Sequence, residues 1–476
     1  MTKGARTRGI LDYPETYWDP NRTYRQPVIL VTFKDCEFSM PDPVDFYSRI
    51  LNEPGYNEGA GAGCLADYFR DQSEGLFNIR FEIYGPVQVD TIVTGNGRTN
   101  YGDYVVHKAA ELVAQTGADF SPYDWDGDGY VDQMVYIAAG YCGNQVKNGY
   151  IWPNTGYFYP SITMPGNVKA DYYSISCELW KDNTSCGIGT ICHEFTHCLG
   201  LPDIYPTSGG GFSVVDEWDL MDGGNYTNKG WCPPNYSALE KMLLGWKTPV
   251  ELTDETAITG MKSVSEGGEV YIIRNPGCED EFYLLENRQQ DGWDYAAPGS
   301  GLLIFHVDYD PEIWSNNNVN FSKSHFHYSL FNADGKNYKD WDPMENGQDW
   351  SKYTMTDWMR NKYLSTSPYP FVSDSLTVDM LTDNSSPAAT LFKNNAAGEK
   401  LMSKPITNIR VDADSTISFD FMKDPVSVAP IRYAADVSST SAAWYDINGN
   451  RLPSAPSRPG IYILRHPDGT QKKCIR

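Results

Sequence analysis

The amino-acid sequence predicts an α/β (α+β) domain, followed by a mostly-β domain and a small β module at the C-terminus. Up to about residue 250, apolar stretches with strand-like and helix-like spacing alternate along the chain, which is typical of a sheet covered by helices. Beyond that point the apolar stretches are short and separated by turns, as in β domains. We expect the following segments: an N-terminal extension or propeptide remnant at 1–26, the α/β domain at 27–248, the β-rich domain at 249–424, and a linker with the C-terminal module at 425–476.

The individual elements follow from local patterns in these segments. Runs rich in β-branched and aromatic residues predict strands, whereas apolar residues at helical spacing, ended by Gly75 or Gly117, predict helices. In the first domain this gives strands at 26–35, 78–89 and 130–140 and helices at 63–75 and 102–119, leading into a further helix around residue 193. In the second domain it gives strands at 269–275, 281–289, 301–310 and 415–424.

Composition limits the classes of function. The 476 residues have a net charge of −24, so there is no basic surface to bind nucleic acid. The longest apolar runs have the length of strands, and we therefore expect no membrane-spanning segment. The first residues lack the apolar core of a signal peptide. Either the protein is cytoplasmic or the numbering begins after a removed leader, and we favour the second. Among the ten cysteines, Cys177 and Cys186 are a possible pair.

The segment "HEFTH" points to a metal site. His193 and His197 stand four residues apart, so on a helix both imidazoles lie on one face and can bind one zinc ion. Zinc lowers the pKa of a bound water to about 7, and Glu194 is placed to take its proton. Histidine is scarce, at seven residues in the chain, so a chance occurrence or a helix with merely buried histidines is the weaker interpretation.

A catalytic zinc site needs a third protein ligand. Gly200 can adopt the positive φ that turns the chain out of the helix, and Asp203 then falls within reach of the metal. Asp216 and Glu217 are alternative third ligands. Met221 lies eighteen residues after Asp203 in "EWDLMDGG".

The extended pattern of His193, Glu194, His197, Gly200 and Asp203, with Met221 downstream, resembles the metzincin clan of zinc peptidases. "HEFTHCLGLPDIY", "WDLMDGG" and "PPNYSALEKMLLGW" are similar, more narrowly, to the M6 or immune inhibitor A-like family. The resemblance extends over most of residues 27–424. It implies a metzincin-like catalytic domain and an extracellular metalloendopeptidase acting on proteins or peptides, with zinc on His193, His197 and Asp203, Glu194 as the base and Met221 in a turn beneath the metal. For the oxyanion, Tyr226 is the nearest phenol in sequence, although a packed aromatic is the simpler interpretation.

The segment "DWDGDGYVD" predicts a second cation site. Asp124, Asp126 and Asp128 alternate, Tyr130 offers a carbonyl, and Asp132 stands at the ninth position, as in the first nine residues of an EF-hand loop. Val135 occupies the position of the usual bidentate glutamate, and an exposed acidic turn is the alternative. We favour a structural calcium ion. Two further groups, the acids of "HVDYDPEIW" and the histidines of "HFH", are weaker candidates for ion sites.

The last residues, "YDINGNRLPSAPSRPGIYILRHPDGTQKKCIR", resemble the C-terminal sorting modules of secreted Bacteroidetes proteins. This resemblance implies a place outside the cell or on its surface and an encounter with secretion machinery. A β-hairpin that completes the preceding domain is an equally good interpretation.

Three functions are compatible with these patterns. The leading hypothesis is a secreted zinc endopeptidase. The alternatives are a surface binding protein or adhesin with an idle zinc site, and a zinc hydrolase acting on a non-peptide amide. The presence of Glu194 speaks against an idle site.

Overall fold

The computed structural model describes most of the chain between residues 17 and 475. The described ranges are 17–58, 60–93, 102–146, 150–209, 213–337, 340, 364–423, 443–445, 451–452, 454, 456, 461–465 and 471–475. The chain divides into two compact units, Met1–Lys423 and Asp424–Arg476. None of the helices formed by the described residues is long and apolar enough to cross a membrane.

The described residues of the first unit form six α-helices, several short 3₁₀-helices and fifteen strands. The α-helices are α1 (Pro43–Asn52), α2 (Leu65–Gln72), α3 (Gly102–Ala114), α4 (Gly189–Cys198), α5 (Ala238–Leu243) and α6 (Pro311–Ser315). The 3₁₀-helices are Ser121–Tyr123, Asp216–Trp218, Gly224–Gly230, Val264–Glu266 and Gly292–Asp294. The strands are β1 (Thr23–Thr32), β2 (Asn78–Gln88), β3 (Met134–Tyr141), β4 (Asn154–Met164), β5 (Val168–Leu179), β6 (Val250–Glu251), β7 (Thr256–Met261), β8 (Tyr271–Asn275), β9 (Cys278–Arg288), β10 (Gly301–Asp308), β11 (Tyr328–Leu330), β12 (Phe371–Val372), β13 (Thr377–Val378), β14 (Ile406–Val411) and β15 (Ile417–Phe421).

The N-terminal half is built on a five-stranded sheet in the order β2-β1-β3-β5-β4. β1 pairs in parallel with β2 and β3, and β3 pairs in parallel with β5. Helices connect β1 to β2 and β2 to β3, whereas the connection from β3 to β5 contains β4, which runs antiparallel to β5 at one edge. Val28–Val31 in β1 are fully buried, as expected for a parallel strand covered on both faces. This mixed α/β architecture confirms the predicted strands at 26–35, 78–89 and 130–140 and the helices at 63–75 and 102–119 in type.

Helix α4, which contains the "HEFTH" segment, is buried along almost its whole length, and its residues from Gly189 to Thr196 are all buried. It lies next to the antiparallel edge strand β4, where the Thr155 hydroxyl donates a hydrogen bond to the backbone carbonyl of Glu194 at 2.8 Å. Gly200 has a φ of +105° just after the helix, in the region that favours glycine. The chain therefore leaves α4 by the turn that the sequence predicted.

Residues 249–423 form mainly strands in the described ranges, in sheets ordered β11-β10-β9-β8-β6, β14-β15-β7 and β12-β13. Their core is continuous with that of the N-terminal half, since Leu239 of α5 and Leu284 of β9 belong to one buried apolar cluster. The division of this unit at residues 248 and 249 stays a prediction, and its two parts share a core.

A buried charged cluster also joins the two parts. Arg288 at the end of β9 is fully buried, and its Nε donates to Asp294 at 2.6 Å and its Nη1 to Glu286 at 3.0 Å. The Glu286 carboxylate accepts the backbone N–H of Ala238, the first residue of α5, at 2.6 Å. A carboxylate at a helix N-terminus is favourable for the helix dipole. The start of α5 is thus attached to the β-rich part by ionic hydrogen bonds.

The buried Lys241 of α5 leads us to predict that the free energy of unfolding depends on pH in the alkaline range. Burial lowers the pKa of its ammonium group from 10.5 to about 8, although Glu286 opposes the shift. Between pH 8 and 10.5 the unfolded chain then binds more protons at this residue than the folded chain, so the free energy of unfolding is expected to rise with pH, by up to about 1.4 kcal/mol per pH unit. Urea unfolding of the wild type and of Lys241→Met across this range measures the effect. The rise should be smaller in the variant, and equal slopes would contradict it.

The second unit contains a four-stranded antiparallel sheet in the order β17-β16-β18-β19. Its strands are β16 (Ala443–Tyr445), β17 (Arg451–Leu452), β18 (Ile461–Arg465) and β19 (Gln471–Ile475). These strands lie in the segment where the sequence predicts a small β module, and the module at 425–476 stays a prediction. The predicted linker from 425 and the N-terminal extension up to residue 16 lie outside the described residues.

Candidate metal centre and active site

Three predicted ligands converge at one point in the cleft. The Nε2 atoms of His193 and His197 each lie 3.2 Å from Oδ1 of Asp203. The two imidazole rings are 4.8 Å apart and nearly perpendicular, at 84°, so their in-plane lone pairs can point to a common centre. Two imidazole nitrogens and one carboxylate oxygen, with further space in the cleft, are the donor set of a catalytic zinc site.

Backbone carbonyls orient both histidines. Nδ1 of His193 lies 2.9 Å from the carbonyl oxygen of Leu220, and Nδ1 of His197 lies 2.8 Å from that of Leu201. A carbonyl can only accept, so each Nδ1 donates its proton there, and Nε2 is the ring atom left to bind a metal ion.

Asp203 is suited to a positive partner. It is 6% exposed, and its Oδ1 is a buried atom without a hydrogen-bond donor. Burial alone would raise the pKa of this carboxyl, but the two histidines hold it well below its usual range. Burial alone would lower the pKa of His197, but the nearby Asp203 carboxylate has the larger effect and raises this pKa to about 9. These groups therefore favour a cation between them, which fits a zinc ion.

Glu194 faces the same cleft from the next position on α4. It is 7% exposed, and the Thr155 hydroxyl is 2.9 Å from its Oε2. Burial raises the pKa of Glu194, against the opposing effect of the two histidines. Raised carboxyl pKa values are typical of groups that accept and return a proton. Thr155, on the edge strand β4, was not identified from the sequence.

The cleft has two walls and a volume of about 780 Å³. One wall is residues 152–157, which include the start of β4, and the other includes Tyr309, Trp314 and Asn317 from the β-rich part. Tyr205 also lines the cleft and stacks on His193 at 6.4 Å. Among the described lining residues there is no lysine or arginine. The cleft therefore presents aromatic surface and few charges besides Glu194 and the ligands.

The segment with Met221 supports the ligands through its backbone. Met221 is fully buried, and its carbonyl oxygen accepts the N–H of Ile204, the residue after Asp203, at 2.8 Å. The neighbouring Leu220 carbonyl is the one that orients His193. The turn thus fixes both the first and the third ligand.

Among the described residues, the acid within 4.8 Å of both histidine nitrogens is Asp203. The alternative Asp216 lies in the 3₁₀-helix before Met221, where its N–H donates to Asp222 at 2.9 Å, and Glu217 follows it. The Tyr226 hydroxyl accepts a hydrogen bond from Asn144 at 2.8 Å and is not among the residues that line the cleft. Four other tyrosines line the cleft, namely Tyr157, Tyr172, Tyr205 and Tyr309, and Tyr205 is the one that stacks on His193.

Three of the five residues predicted for the acidic loop lie close together. Ligand oxygens of Asp124, Asp126 and Asp128 lie within 4.8 Å of one another. Backbone N–H groups donate to all three carboxylates, and Asp132 accepts from the N–H of Trp125. Tyr130 donates its N–H to Asp128 at 2.8 Å. Exposed carboxylates can accept such hydrogen bonds from backbone N–H groups without any bound cation, so a calcium ion in this loop stays a prediction.

A further group, Asp308 with His325 and His327, also lies within 4.8 Å. Its two rings are stacked 4.1 Å apart at only 8°, so their lone pairs run parallel rather than converge. Asp308 is paired with Lys393 at 2.6 Å. These contacts describe an ion-pair cluster rather than a second metal centre.

The predicted pairing of Cys177 with Cys186 is not present, because both are free thiols. The Sγ of Cys142 lies 3.4 Å from that of Cys186. The sequence separation of 44 residues gave no signal for this contact.

The part of the chain that contains the three ligands and Glu194 is similar to known proteins. Residues 10–246 match the family model described as the immune inhibitor A peptidase M6 catalytic domain. The pre-pro-metalloprotease PrtV of Vibrio cholerae serotype O1 is 21% identical over 273 residues, which are 49% of this chain and 29% of that protein. Immune inhibitor A of Bacillus thuringiensis subsp. alesti is 21% identical over 361 residues, which are 63% of this chain and 52% of that protein.

These matches span less than two thirds of the relatives' own lengths. The matched family segment contains His193, Glu194, His197 and Asp203, whereas Asn317 and the rest of the second wall lie beyond it. On this evidence the chain belongs to the M6, or immune inhibitor A-like, family of metallopeptidases.

Proposed function

We propose that this protein is a zinc-dependent endopeptidase that hydrolyses peptide bonds in proteins. The observation that supports this most directly is the position of Glu194, a buried carboxylate in the same cleft as the convergent His193, His197 and Asp203. The cleft is lined by the start of the edge strand β4 and has a volume of about 780 Å³, which is within the range of ligand-binding clefts. Membership of a peptidase family agrees with this reaction.

In the proposed reaction the chain's own groups position the substrate and move a proton. A zinc ion on His193, His197 and Asp203 supplies a Lewis acid. Glu194 takes a proton from the attacking water and passes it to the nitrogen of the leaving amine. The Thr155 hydroxyl, 2.9 Å from Oε2, holds the carboxylate in place.

Metal removal tests the proposal. Treatment with 1,10-phenanthroline is expected to reduce cleavage of casein to background, and one equivalent of zinc is expected to restore it. The reason is that the described residues lining the cleft include no lysine or arginine that could polarise the peptide carbonyl instead. A fluorescent casein assay with metal analysis of each sample measures this. Cleavage that persists in zinc-free protein would exclude the mechanism, and a zinc-loaded protein that never cuts casein would favour the binding-protein alternative.

We also propose structural calcium in the loop 124–132 and a location outside the cell or at its surface. The three close carboxylates of the loop support the first. The resemblance of the C-terminal tail to sorting modules, together with its small β-sheet, supports the second and implies contact with secretion machinery. Calcium-dependent change in melting temperature, and cell fractionation with and without residues 443–476, test these two points.

A further inference from the structure

A polar seam joins the loop of the third metal ligand to a segment outside the family match. The loop comprises residues 203–208, and the facing segment comprises residues 317–321. Four pairs of residues are hydrogen-bonded across it: Asp203 with Asn317, Thr207 with Asn317, Ile204 with Asn320, and Ser208 with Phe321. The β-rich part of the chain thus holds the loop that presents the ligand.

Asn317 makes the closest of these contacts. Its Oδ1 accepts the backbone N–H of Asp203 at 2.6 Å, and its Nδ2 donates to Oδ2 of the same residue at 2.8 Å. The amide therefore binds the one carboxylate oxygen that does not face the histidines. Oδ1 of Asp203 is left 3.2 Å from both Nε2 atoms.

Asn317 is itself rigidly placed. It has a φ of +56°, a left-handed conformation that asparagine tolerates better than most residues. Its N–H donates to the carbonyl of Trp314 at 3.1 Å, and its carbonyl accepts the Thr207 hydroxyl at 2.9 Å. Trp314, at the end of α6, is 2% exposed and belongs to the shared core. The backbone N–H and the backbone carbonyl of Asn317 are thus both hydrogen-bonded.

We propose that Asn317 is a positioning residue for the metal centre, which fixes the Asp203 carboxylate so that one oxygen is committed to the metal. The inference rests on the proposed function for the identity of the metal. A carboxylate without this donor can rotate and must lose that freedom when it binds the ion. A neutral amide donor orients the ligand without adding a charge that competes with the cation. Such partners of metal ligands typically change metal affinity by about 10-fold to 100-fold.

The run Asn316-Asn317-Asn318 provides a matched control. Asn316 is exposed, and its amide donates to the carbonyl of Glu312 at 2.8 Å instead of to the metal loop. The test compares Asn317→Gly, Asn317→Asp and Asn316→Gly in the full chain. Glycine removes the amide and keeps the left-handed backbone, whereas aspartate keeps the shape but cannot donate and repels Asp203.

The primary measurement is the zinc dissociation constant, determined by competition with a chromophoric chelator under conditions in which circular dichroism shows each apo variant to be folded. Asn317→Gly is expected to weaken zinc binding about 10-fold to 100-fold, and Asn317→Asp by at least as much. Asn316→Gly should remain within about twofold of the wild type. The visible spectrum of the cobalt-substituted protein should change with Asn317 and not with Asn316.

Unchanged zinc affinity and an unchanged cobalt spectrum in folded Asn317→Gly would overturn the inference, even if the melting temperature fell, because the role would then be structural only. Equal weakening by Asn316→Gly would overturn it too. Failure of the zinc-loaded wild type to cut casein would instead count against the proposed function, while the affinity comparison still decides the role of Asn317.

Discussion

Replacing Glu194 by glutamine is expected to abolish measurable cleavage of casein while zinc remains bound. Glutamine keeps the size of the side chain and can still meet the Thr155 hydroxyl, but it cannot take a proton from water. Loss of a positioned general base typically costs a factor of about 100 to 10,000 in rate. Since Glu194 is not one of the three convergent ligands, zinc content should not change.

The measurement pairs the rate of casein cleavage with the zinc content of the same preparations. Glu312→Gln is the matched control, because Glu312 is exposed in α6, near the cleft but not lining it. This control should cleave casein at the wild-type rate. A zinc-loaded Glu194→Gln protein that retains wild-type activity would remove the base role, and loss of zinc from that variant would show that Glu194 acts on the metal site instead.

Replacing Arg288 by methionine is expected to destabilise the first unit by about 3–5 kcal/mol. Arg288 is fully buried between Glu286 and Asp294, which are 0% and 1% exposed. Without the guanidinium both carboxylates remain buried without their cation. Methionine fills much of the same volume, so the expected loss comes from uncompensated charge and from the lost hydrogen bond to the carbonyl of Trp218.

Urea unfolding followed by tryptophan fluorescence measures the change. Arg274→Met is the matched control, because Arg274 lies on the neighbouring strand β8, its side chain is 35% exposed, and it pairs loosely with Glu251 at 3.5 Å. Exposed pairs contribute about 0–1 kcal/mol, so this variant should change stability little. Equal effects of the two substitutions would show that burial of the Arg288 cluster does not decide its contribution.

The prediction for Glu194 concerns the reaction, whereas the prediction for Arg288 concerns the stability of the fold. The former concerns one side chain in the same turn of α4 as His193 and His197. Arg288 acts through the junction between β9, α5 and the segment before Met221. Because Arg288 does not line the cleft, a destabilised Arg288 variant should lose activity only as it unfolds, and the fraction of folded protein should account for the loss.

The sequence alone determined the features that depend on short spacing. His193, Glu194 and His197 lie within five residues, so the helix geometry itself brings both imidazoles to one face and places the acid beside them. The turn at Gly200 and the alternation of β1, β2 and β3 with helices also follow from local pattern, because glycine and β-branched residues restrict the backbone directly.

Only the tertiary structure showed that Asp203 lies beside the two histidines, because the sequence leaves open whether Asp203, Asp216 or Glu217 is brought towards them. It also revealed Thr155, 39 residues before Glu194, and Asn317, 114 residues after Asp203. Neither has a distinctive spacing in the sequence. Their positions depend on how the edge strand and the β-rich part pack against α4 in a common core, and local propensity does not determine such long-range packing.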